Sequence, residues 1–346
     1  MTFATRFTVS GRNIGLNEPV FIIAEIGVNH NGDMNLAGKM IDAAAWAGAD
    51  AVKFQTFRAD SFMVDDGQTY EYREDGQTVR ESTYAMLKRL ELPDGEHKAL
   101  FDQVWQKGMI PLTSVTELHS IDVALAAGAK AFKVASADLT NYPLLKALGK
   151  ENKPLFISTG MTTEDEIADV CAILAGAGLR DCVFLHCVSL YPTPESEANL
   201  LRMNNLKRLT ESLVGYSDHT RGGEACAVAV AMGACVLEKH FTLDKNLPGP
   251  DHAISADPNE LRRLIALVRR VECLMGSGAI APGEKESVSR NAFRSSVTAT
   301  ENLPAGTILE ERHLCLKWPG GGIHPSKMDE LIGRVLHKPA DKNEQI

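Results

Sequence analysis

Eight short apolar runs alternate with helix-like segments along most of the chain, and each run ends in polar or ionisable side chains. The runs cover residues 20–27, 51–57, 108–115, 131–136, 154–160, 182–188, 212–219 and 235–241. Strands that alternate with helices eight times predict an α/β fold, the (β/α)8 or TIM barrel. In such barrels the active site lies at the carboxyl ends of the strands. We therefore expect the polar strand ends to form the active site.

The 346 residues exceed the roughly 250 that such a barrel needs, so a second module is expected. We predict a hairpin at 1–19 that caps the barrel, the TIM barrel at 20–276, a Gly/Ser/Pro-rich linker at 277–291 and a small β-rich module at 292–346. Between 58 and 93 the periodicity is lost. A segment of that length on the top face is more often a lid or a partner contact than a simple loop.

Composition excludes several classes of function. The net charge of −9 argues against a protein that binds nucleic acid or an anionic membrane, so an anionic ligand needs local cations. The seven cysteines are scattered and form no CxxC pair, which is typical of reduced thiols in a cytoplasmic protein. The N-terminus lacks the pattern of a signal peptide, and no apolar run approaches the ~18 residues of a membrane span.

Two histidines lie at the ends of the last two runs. His219 and His240 would be neighbours in a closed barrel, and two converging imidazoles suit a borderline divalent metal such as Mn, Co or Zn. The alternative is that each is a hydrogen-bonded rim residue. Glu238 shares a strand face with His240, so it could orient a ligand, bind the metal or pair with a lysine.

Two lysines lie within strands, Lys53 in the second run and Lys133 in the fourth. If both point inward they need carboxylates or an anionic substrate, because a buried unpaired ammonium group is costly. A Schiff-base lysine, a clamp for phosphate and carboxylate, and an internal salt bridge to Glu25 or Glu238 all remain open at this point.

Hydroxyl groups at the strand ends favour the clamp. They belong to Ser114, Ser136, Ser158, Thr159 and Ser217. Each alone is more often a capping hydroxyl, but five on one rim beside two lysines indicate an anion site. Three loops, at 25–33, 186–194 and 247–252, add polar groups that a polyhydroxylated ligand needs.

Specific segments carry a family resemblance over essentially the whole chain. They are EIGVNHNGD, VKFQTF, FKVASAD, STGM, HCVSLYPTP, GYSDHT, EKHFT and GPDHAIS, and they resemble the sialic acid (N-acetylneuraminate) synthase family, including the legionaminic and pseudaminic acid synthases. LPAGTIL and WPGGGIHP resemble the C-terminal antifreeze-like (SAF) domain of these enzymes.

The resemblance implies a transferase that joins phosphoenolpyruvate to an N-acylated hexose aldehyde. The aldehyde would be N-acetylmannosamine or a 2,4-diacetamido-6-deoxy-mannose type sugar, and the products a nine-carbon 2-keto acid and phosphate, with C–O cleavage. It also implies a divalent metal, Mn²⁺ first with Mg²⁺ or Co²⁺ as alternatives, and a domain-swapped homodimer. No Schiff base is required, so the lysines become an electrostatic clamp.

The resemblance also assigns site residues. It makes His219 and His240 the metal ligands and Glu238 their charged neighbour. Positions that match phosphoenolpyruvate binding are Lys53, Ser114, Lys133, Ser136, Ser158 and Ser217. Positions that match the surroundings of the sugar are Glu25, Gln55, Asp138, Tyr191 and Asp251. We expect Glu25, Lys53, Lys133 and Glu238 to be catalytic.

Three positions depart from the family pattern. Ser189 stands where some members carry Asn, and Asp138 stands where a Glu is expected. Trp318 replaces an Arg of the small domain that reaches across the dimer to the N-acyl group of the sugar. We keep Ser189 and Trp318 among the expected substrate-binding residues.

Two other functions compete with this one. A deoxyheptulosonate or deoxyoctulosonate phosphate synthase would need a further basic site for a sugar phosphate and ordinarily lacks the antifreeze-like module. A non-catalytic carbohydrate-binding or ice-binding protein would not need Lys53, Lys133, His219 and His240 on one rim.

Overall fold

Eight parallel strands close into a barrel and follow one another around it in chain order. The computed structural model describes residues 3–74 and 77–346. The barrel strands are β1 (Phe21–Gly27), β2 (Ala51–Thr56), β3 (Ile110–Val115), β4 (Phe132–Val134), β5 (Leu155–Ser158), β6 (Cys182–His186), β7 (Leu213–Asp218) and β8 (Val236–His240). Each strand lies within one of the apolar runs, so the predicted barrel is confirmed.

One main helix follows each strand. These helices are α1 (Met34–Ala47), α2 (Glu96–Gln106), α3 (Leu118–Ala127), α4 (Tyr142–Lys150), α5 (Glu164–Gly176), α6 (Arg202–Thr210), α7 (Glu224–Ala231) and α8 (Pro258–Met275). Local sequence sets their ends. Thr163 and Asp257 each begin a helix with a capping box, in which side chain and backbone satisfy each other's free donors. Gly48 and Gly128 end helices in the left-handed region, which glycine adopts without strain.

Side chains alternate along each strand between the barrel interior and the outer layer of helices. On β2, Val52 and Phe54 pack outward with the helices, whereas Ala51 faces the barrel interior. The apolar side chains of this interior core include Phe21, Ile23, Ala51, Ile110, Leu112, Phe156, Val183, Leu185, Leu213 and Val236, together with Ala131, which directly precedes β4. Towards the carboxyl ends, the interior becomes polar while it remains buried. The polar side chains there are Glu25, Lys53, Ser114, Lys133, Ser158, Ser217 and Glu238.

An N-terminal hairpin packs against the amino-terminal end of the barrel. Its strands, Arg6–Val9 and Arg12–Gly15, pair antiparallel. Phe7 and Ile14 belong to the same buried cluster as the interior residues of the barrel, and the Phe7 ring lies 6.3 Å from that of Phe156, centroid to centroid. The polar mouth is therefore at the opposite end of the barrel from this apolar plug.

The segment between β2 and α2 is more ordered than its sequence suggests. It contains helix Ala59–Phe62, the antiparallel strands Thr69–Glu74 and Gln77–Ser82, and helix Thr83–Leu90. Residues 75 and 76 lie outside the described residues. Its role as a lid or partner contact stays a prediction.

The chain divides into two compact units, Met1–Gly276 and Ser277–Ile346. The smaller unit contains helix Glu284–Phe293, paired strands Ser296–Ala299 and Leu314–Lys317, and helix Met328–Leu331. Its core consists of Val297, Ala299, Leu303, Leu309, Leu314, Leu336 and Ala340. Among the described residues, no helix combines the length and the apolar character that crossing a membrane requires.

The predicted linker at 277–291 is wrong in one respect, because most of helix Glu284–Phe293 lies within it. None of the residues of this helix is buried, so no apolar periodicity marks it in the sequence. Glu284 and Glu286 lie in its first turn, where negative charge complements the helix dipole. This interaction favours a helix although the composition of the segment is typical of turns.

We expect Ile14→Ala to destabilise the barrel by about 2 to 5 kcal/mol, because the substitution leaves a cavity in the apolar plug. Ile14 is fully buried, whereas the neighbouring Leu16 is 45% exposed. Leu16→Ala is therefore the matched control, with an expected change below about 0.5 kcal/mol. Urea unfolding followed by fluorescence measures both. Equal shifts in the two variants would show that the hairpin does not support the barrel.

Candidate active site

Two lysines and two glutamates form a charge cluster in the barrel mouth. Lys53 Nζ lies 3.1 Å from Glu25 Oε2 and 3.3 Å from Glu238 Oε1. Lys133 Nζ lies 3.8 Å from Glu238 Oε1. All four side chains are buried. Strands β1, β2, β4 and β8 thus bring residues that are distant in sequence to one point, and both lysines point inward.

Two serines complete the contacts of this charge cluster. Lys53 Nζ donates to Ser114 Oγ at 3.1 Å, and Ser217 Oγ donates to Glu238 Oε1 at 2.9 Å. Register explains the proximity, since Ser217 pairs with Glu238 across β7 and β8. The structure therefore brings together four catalytic candidates and two of the predicted phosphoenolpyruvate-binding serines.

The pKa values of the cluster favour an anionic ligand. Burial raises the pKa of Glu25 to about 7, and Lys53 offsets only part of that effect. Burial alone would raise the pKa of Glu238, but Lys133 and Lys53 outweigh it and lower this pKa to about 2. Burial is likewise outweighed at Lys53, whose pKa Glu238 and Glu25 raise. Near neutral pH, Glu25 carries only part of its negative charge, and burial lowers the pKa of Lys133 although Glu238 opposes this shift. An anionic ligand would therefore stabilise the charged form of both lysines.

A second group of hydroxyls surrounds Gly160, just after β5. Gly160 N donates to Ser136 Oγ at 2.9 Å, and Ser136 Oγ lies 3.0 Å from Cys187 Sγ. A Cβ atom built on Gly160 would lie 2.5 Å from Ser189 Oγ, so a side chain at that position would fill the space between these groups. Ser158 Oγ is buried and has no hydrogen-bond partner among the described residues. A buried hydroxyl without a partner indicates a site for a ligand.

The histidine pair, His219 and His240, lies beside this cluster, with ring centroids 5.3 Å apart. His219 Nδ1 lies 2.8 Å from the Val188 carbonyl oxygen and donates to it, which leaves the lone pair on Nε2. Burial lowers the pKa of both histidines, and the nearby His219 lowers the pKa of His240 further. Both imidazoles are therefore neutral, which is the form that binds metals.

Tyr191 and Asp251 contact the histidine pair. The Tyr191 ring lies 4.2 Å from that of His219 and 5.9 Å from that of His240, centroid to centroid. Asp251 Oδ2 lies 3.6 Å from His240 Nδ1. Burial raises the pKa of Asp251 to about 6, and Lys53 opposes this shift. Two predicted sugar-binding residues thus lie directly beside the predicted metal ligands.

The donor set of the histidine pair suits a divalent metal. His240 Nδ1 is buried and has no hydrogen-bond partner in the part of the chain that the structure describes, an observation that a ligand would explain. Among the described residues, no group of three or more His, Cys, Asp or Glu side chains is arranged to hold a metal ion. The protein would therefore supply two imidazoles, and substrate and water the remaining ligands, as in an open catalytic site.

Gln55 contacts Glu25 of the charge cluster, and Asp138 follows the strand that carries Lys133. Gln55 Nε2 donates to Glu25 Oε1 at 2.9 Å, which fixes that carboxylate. Asp138 follows β4 in a short 3-10 turn, Ser136–Asp138. Burial raises the pKa of Asp138 to about 7 although Lys133 lowers it. Both residues therefore lie at the carboxyl end of a barrel strand, where the sequence predicts the polar side chains of the site.

Trp318 belongs to the smaller unit. It is 65% exposed, and its ring meets that of Phe293 edge to face, with centroids 5.6 Å apart. An exposed pair of aromatic rings is a surface feature that a partner can cover. Trp318 is the one predicted site residue that lies outside the barrel unit.

Sequence reasoning missed two contributors to the site. Cys187 lies beside Ser136. The sequence offered one sign of this, because Val183 and Leu185 on β6 face the interior and alternation points the side chain of residue 187 the same way. Gly160 had no signal beyond the Ser-Thr-Gly turn. The histidines of the loops are structural: His186 Nε2 lies 2.8 Å from the Ala198 carbonyl oxygen, and His252 Nδ1 lies 2.6 Å from Thr242 Oγ1.

We expect Asp138→Asn to become more stable than the wild type as pH rises from 3.8 to about 7. In this window the folded protein retains a proton on Asp138 that the unfolded chain has released, so wild-type stability falls with pH. Allowing for partial exposure, the gain should reach about 1 to 2 kcal/mol above this window. Urea unfolding at several pH values measures it, with the exposed Asp122→Asn as control. A difference that is independent of pH would contradict the assignment.

The chain is similar to known proteins over most of its length. Residues 40–280 match the NeuB family. The N,N'-diacetyllegionaminic acid synthase of Campylobacter jejuni is 40% identical over 94% of this chain and 98% of its own length. The N-acetylneuraminate-9-phosphate synthase of Mus musculus is 35% identical over 97% of this chain and 94% of its own.

A solved structure shares the architecture. The N-acetylneuraminic acid (sialic acid) synthetase of Leptospira borgpetersenii, crystallised with citrate, is 33% identical and superposes with a TM-score of 0.76, covering 83% of this chain and 96% of that one. The family match and the sequence identity over nearly the full length show that the chain belongs to the NeuB family.

Proposed function

We propose that the protein is a nonulosonic acid synthase. It condenses phosphoenolpyruvate with an N-acylated hexose aldehyde and releases a nine-carbon 2-keto acid and phosphate. The observation that carries this proposal is the convergence of the charge cluster (Glu25, Lys53, Lys133, Glu238) and the histidine pair at one barrel mouth. The first suits an enol phosphate and the second a carbonyl oxygen.

Lys53 and Lys133 hold the anionic substrate. Their ammonium groups, with the hydroxyls of Ser114, Ser136, Ser158 and Ser217, bind the phosphate and carboxylate oxygens of phosphoenolpyruvate. The unpartnered Ser158 hydroxyl and the partial charge on Glu25 support this assignment. A buried ammonium group paired with an anion in a site that excludes water interacts more strongly than it would at the surface.

The sugar binds on the side of Gln55, Asp138, Ser189, Tyr191 and Asp251. These groups offer carboxylate, amide and hydroxyl partners for a polyhydroxylated molecule. Higher identity to the legionaminic acid synthase than to the mouse enzyme, 40% against 35%, favours a 2,4-diacetamido-6-deoxy-mannose type sugar over N-acetylmannosamine.

A divalent metal, Mn²⁺ first with Mg²⁺ or Co²⁺ as alternatives, would be held by His219 and His240 and would polarise the aldehyde carbonyl as a Lewis acid. Glu238 lies two residues before His240 on the same strand and pairs with both lysines. Its negative charge partly opposes the lowering of the pKa values of His219 and His240. Both imidazoles stay neutral for this role because burial lowers their pKa values.

The reaction forms a carbon–carbon bond and breaks the C2–O bond of phosphoenolpyruvate. C3 of phosphoenolpyruvate forms a bond to the aldehyde carbon, the aldehyde oxygen gains a proton, and C2 gains oxocarbenium character. Water adds at C2 and loses its proton to Glu25, whose pKa of about 7 suits a base at neutral pH. The C2–O bond to phosphate then breaks, and the C2 hydroxyl loses its proton to leave the ketone. Lys53 and Lys133 stabilise the departing phosphate.

The smaller unit is proposed to be an antifreeze-like (SAF) domain that contributes to a domain-swapped homodimer. Exposed apolar side chains support this arrangement, because Ile280 is fully exposed and Phe293 and Trp318 are more than half exposed. In such a dimer Trp318 would cover the sugar side of the partner's site. The cytoplasmic location inferred from composition stays a prediction.

The function is tested by phosphate release from phosphoenolpyruvate with a panel of aldehyde sugars, each with and without Mn²⁺. We expect turnover with an N-acylated hexose and none with erythrose 4-phosphate or arabinose 5-phosphate, because the site has no additional basic group assigned to a sugar phosphate. Turnover with the sugar phosphates would favour the deoxyheptulosonate or deoxyoctulosonate alternative. Inactivity across the whole panel would contradict the synthase assignment.

We expect His240→Ala to abolish metal-dependent turnover, with a loss of at least about 100-fold, because one of two protein ligands is removed. The exposed His119→Ala is the matched control and should retain wild-type rates. Circular dichroism checks that both variants fold. Manganese-stimulated rates in His240→Ala equal to those of the wild type would remove His240 from the ligand set.

A further inference from the structure

The hairpin between β2 and α2 places an aromatic face beside the site. Tyr70, on strand Thr69–Glu74, packs against a buried cluster that includes Val28 and Phe57. Val28 directly follows β1, which carries Glu25, and Phe57 directly follows β2, which carries Lys53 and Gln55. The hairpin is therefore anchored at the carboxyl ends of two strands that build the mouth.

Tyr70 lies within electrostatic range of Asp251, one of the predicted sugar-binding residues. Burial and then the charge of Asp251 raise the pKa of Tyr70. Tyr70 also contributes to the raised pKa of Tyr191, for which burial is the main cause. Its phenol therefore keeps its proton at neutral pH and can donate a hydrogen bond to a ligand. Asp251 and Tyr191, with which Tyr70 interacts electrostatically, are the two residues that contact the histidine pair.

The neighbouring Tyr72 provides a contrast on the same strand. Tyr70 and Tyr72 stack with ring centroids 6.4 Å apart, so both lie on one face of the hairpin. The Tyr72 hydroxyl donates to Glu81 Oε1 at 2.9 Å and is engaged within the hairpin. Among the described residues, the Tyr70 hydroxyl makes no hydrogen bond, and the ring is only half buried. One phenol thus serves the hairpin, and the other is free to meet a ligand.

We propose that Tyr70 is a further substrate-binding residue, whose hydroxyl donates a hydrogen bond to a hydroxyl or acylamino oxygen of the sugar. A sugar hydroxyl both donates and accepts hydrogen bonds. Asp251 can accept a hydrogen bond from it, and Tyr70 can donate one to its oxygen. The enol phosphate is held by lysines of the charge cluster and does not need a neutral phenol donor. This inference rests on the proposed function.

The test compares Tyr70→Phe with Tyr72→Phe in the full-length protein. Each variant keeps its ring, and therefore its packing, and loses one hydroxyl. We expect Tyr70→Phe to raise KM for the sugar by roughly 3- to 10-fold, the loss of one net hydrogen bond, and to leave KM for phosphoenolpyruvate unchanged. Tyr72→Phe should leave both KM values unchanged. Calorimetry of phosphoenolpyruvate binding should give the wild-type dissociation constant for both variants.

The outcomes separate this inference from the proposed function. Wild-type turnover with an unchanged sugar KM in Tyr70→Phe overturns the role of Tyr70 and leaves the synthase assignment intact. Equal rises in both KM values would show a general loosening of the mouth and would also overturn it. A wild type with no turnover on any sugar of the panel overturns both. A thermal midpoint equal to that of the wild type checks that Tyr70→Phe folds normally.

Discussion

Burial of two ammonium groups inside the barrel is the constraint on which the rest of the site depends. An ammonium group without a partner in a dry interior is too costly to keep, so Lys53 and Lys133 require counter-charges on neighbouring strands. Glu238 supplies most of that charge, and Glu25 supplies only part of it because its pKa rises to about 7. In the proposed function this cluster binds the anionic substrate, and catalysis uses the charge that folding leaves uncompensated.

The sequence predicted the fold and most of the placement of the site. The period of the apolar runs gave all eight strands, and closure of the barrel then made His219 and His240 neighbours although 20 residues separate them. Side-chain alternation put Lys53 and Gln55 on one face of β2 and Glu238 and His240 on one face of β8, and in both strands this is the interior face. These inferences succeeded because they depend on backbone geometry alone.

Other features could not be predicted from pattern, because they arise from contacts between segments. The sequence left three roles open for the lysines, and only the distances to Glu25 and Glu238 show that the internal salt bridges form. Helix Glu284–Phe293 buries no side chain and so has no periodic signature. The hairpin that carries Tyr70 has a polar, charged sequence, and its packing on Val28 decides its position.

The central claim, that uncompensated positive charge in the barrel mouth binds the enol phosphate, is tested most directly by calorimetry of phosphoenolpyruvate binding to Lys133→Met. Lys133 is the better lysine to replace, because Glu238 keeps Lys53 as a partner and methionine preserves the packing. The account predicts that affinity falls by roughly 30-fold or more, the loss of a buried charge-assisted contact. An affinity within about twofold of the wild type would contradict it.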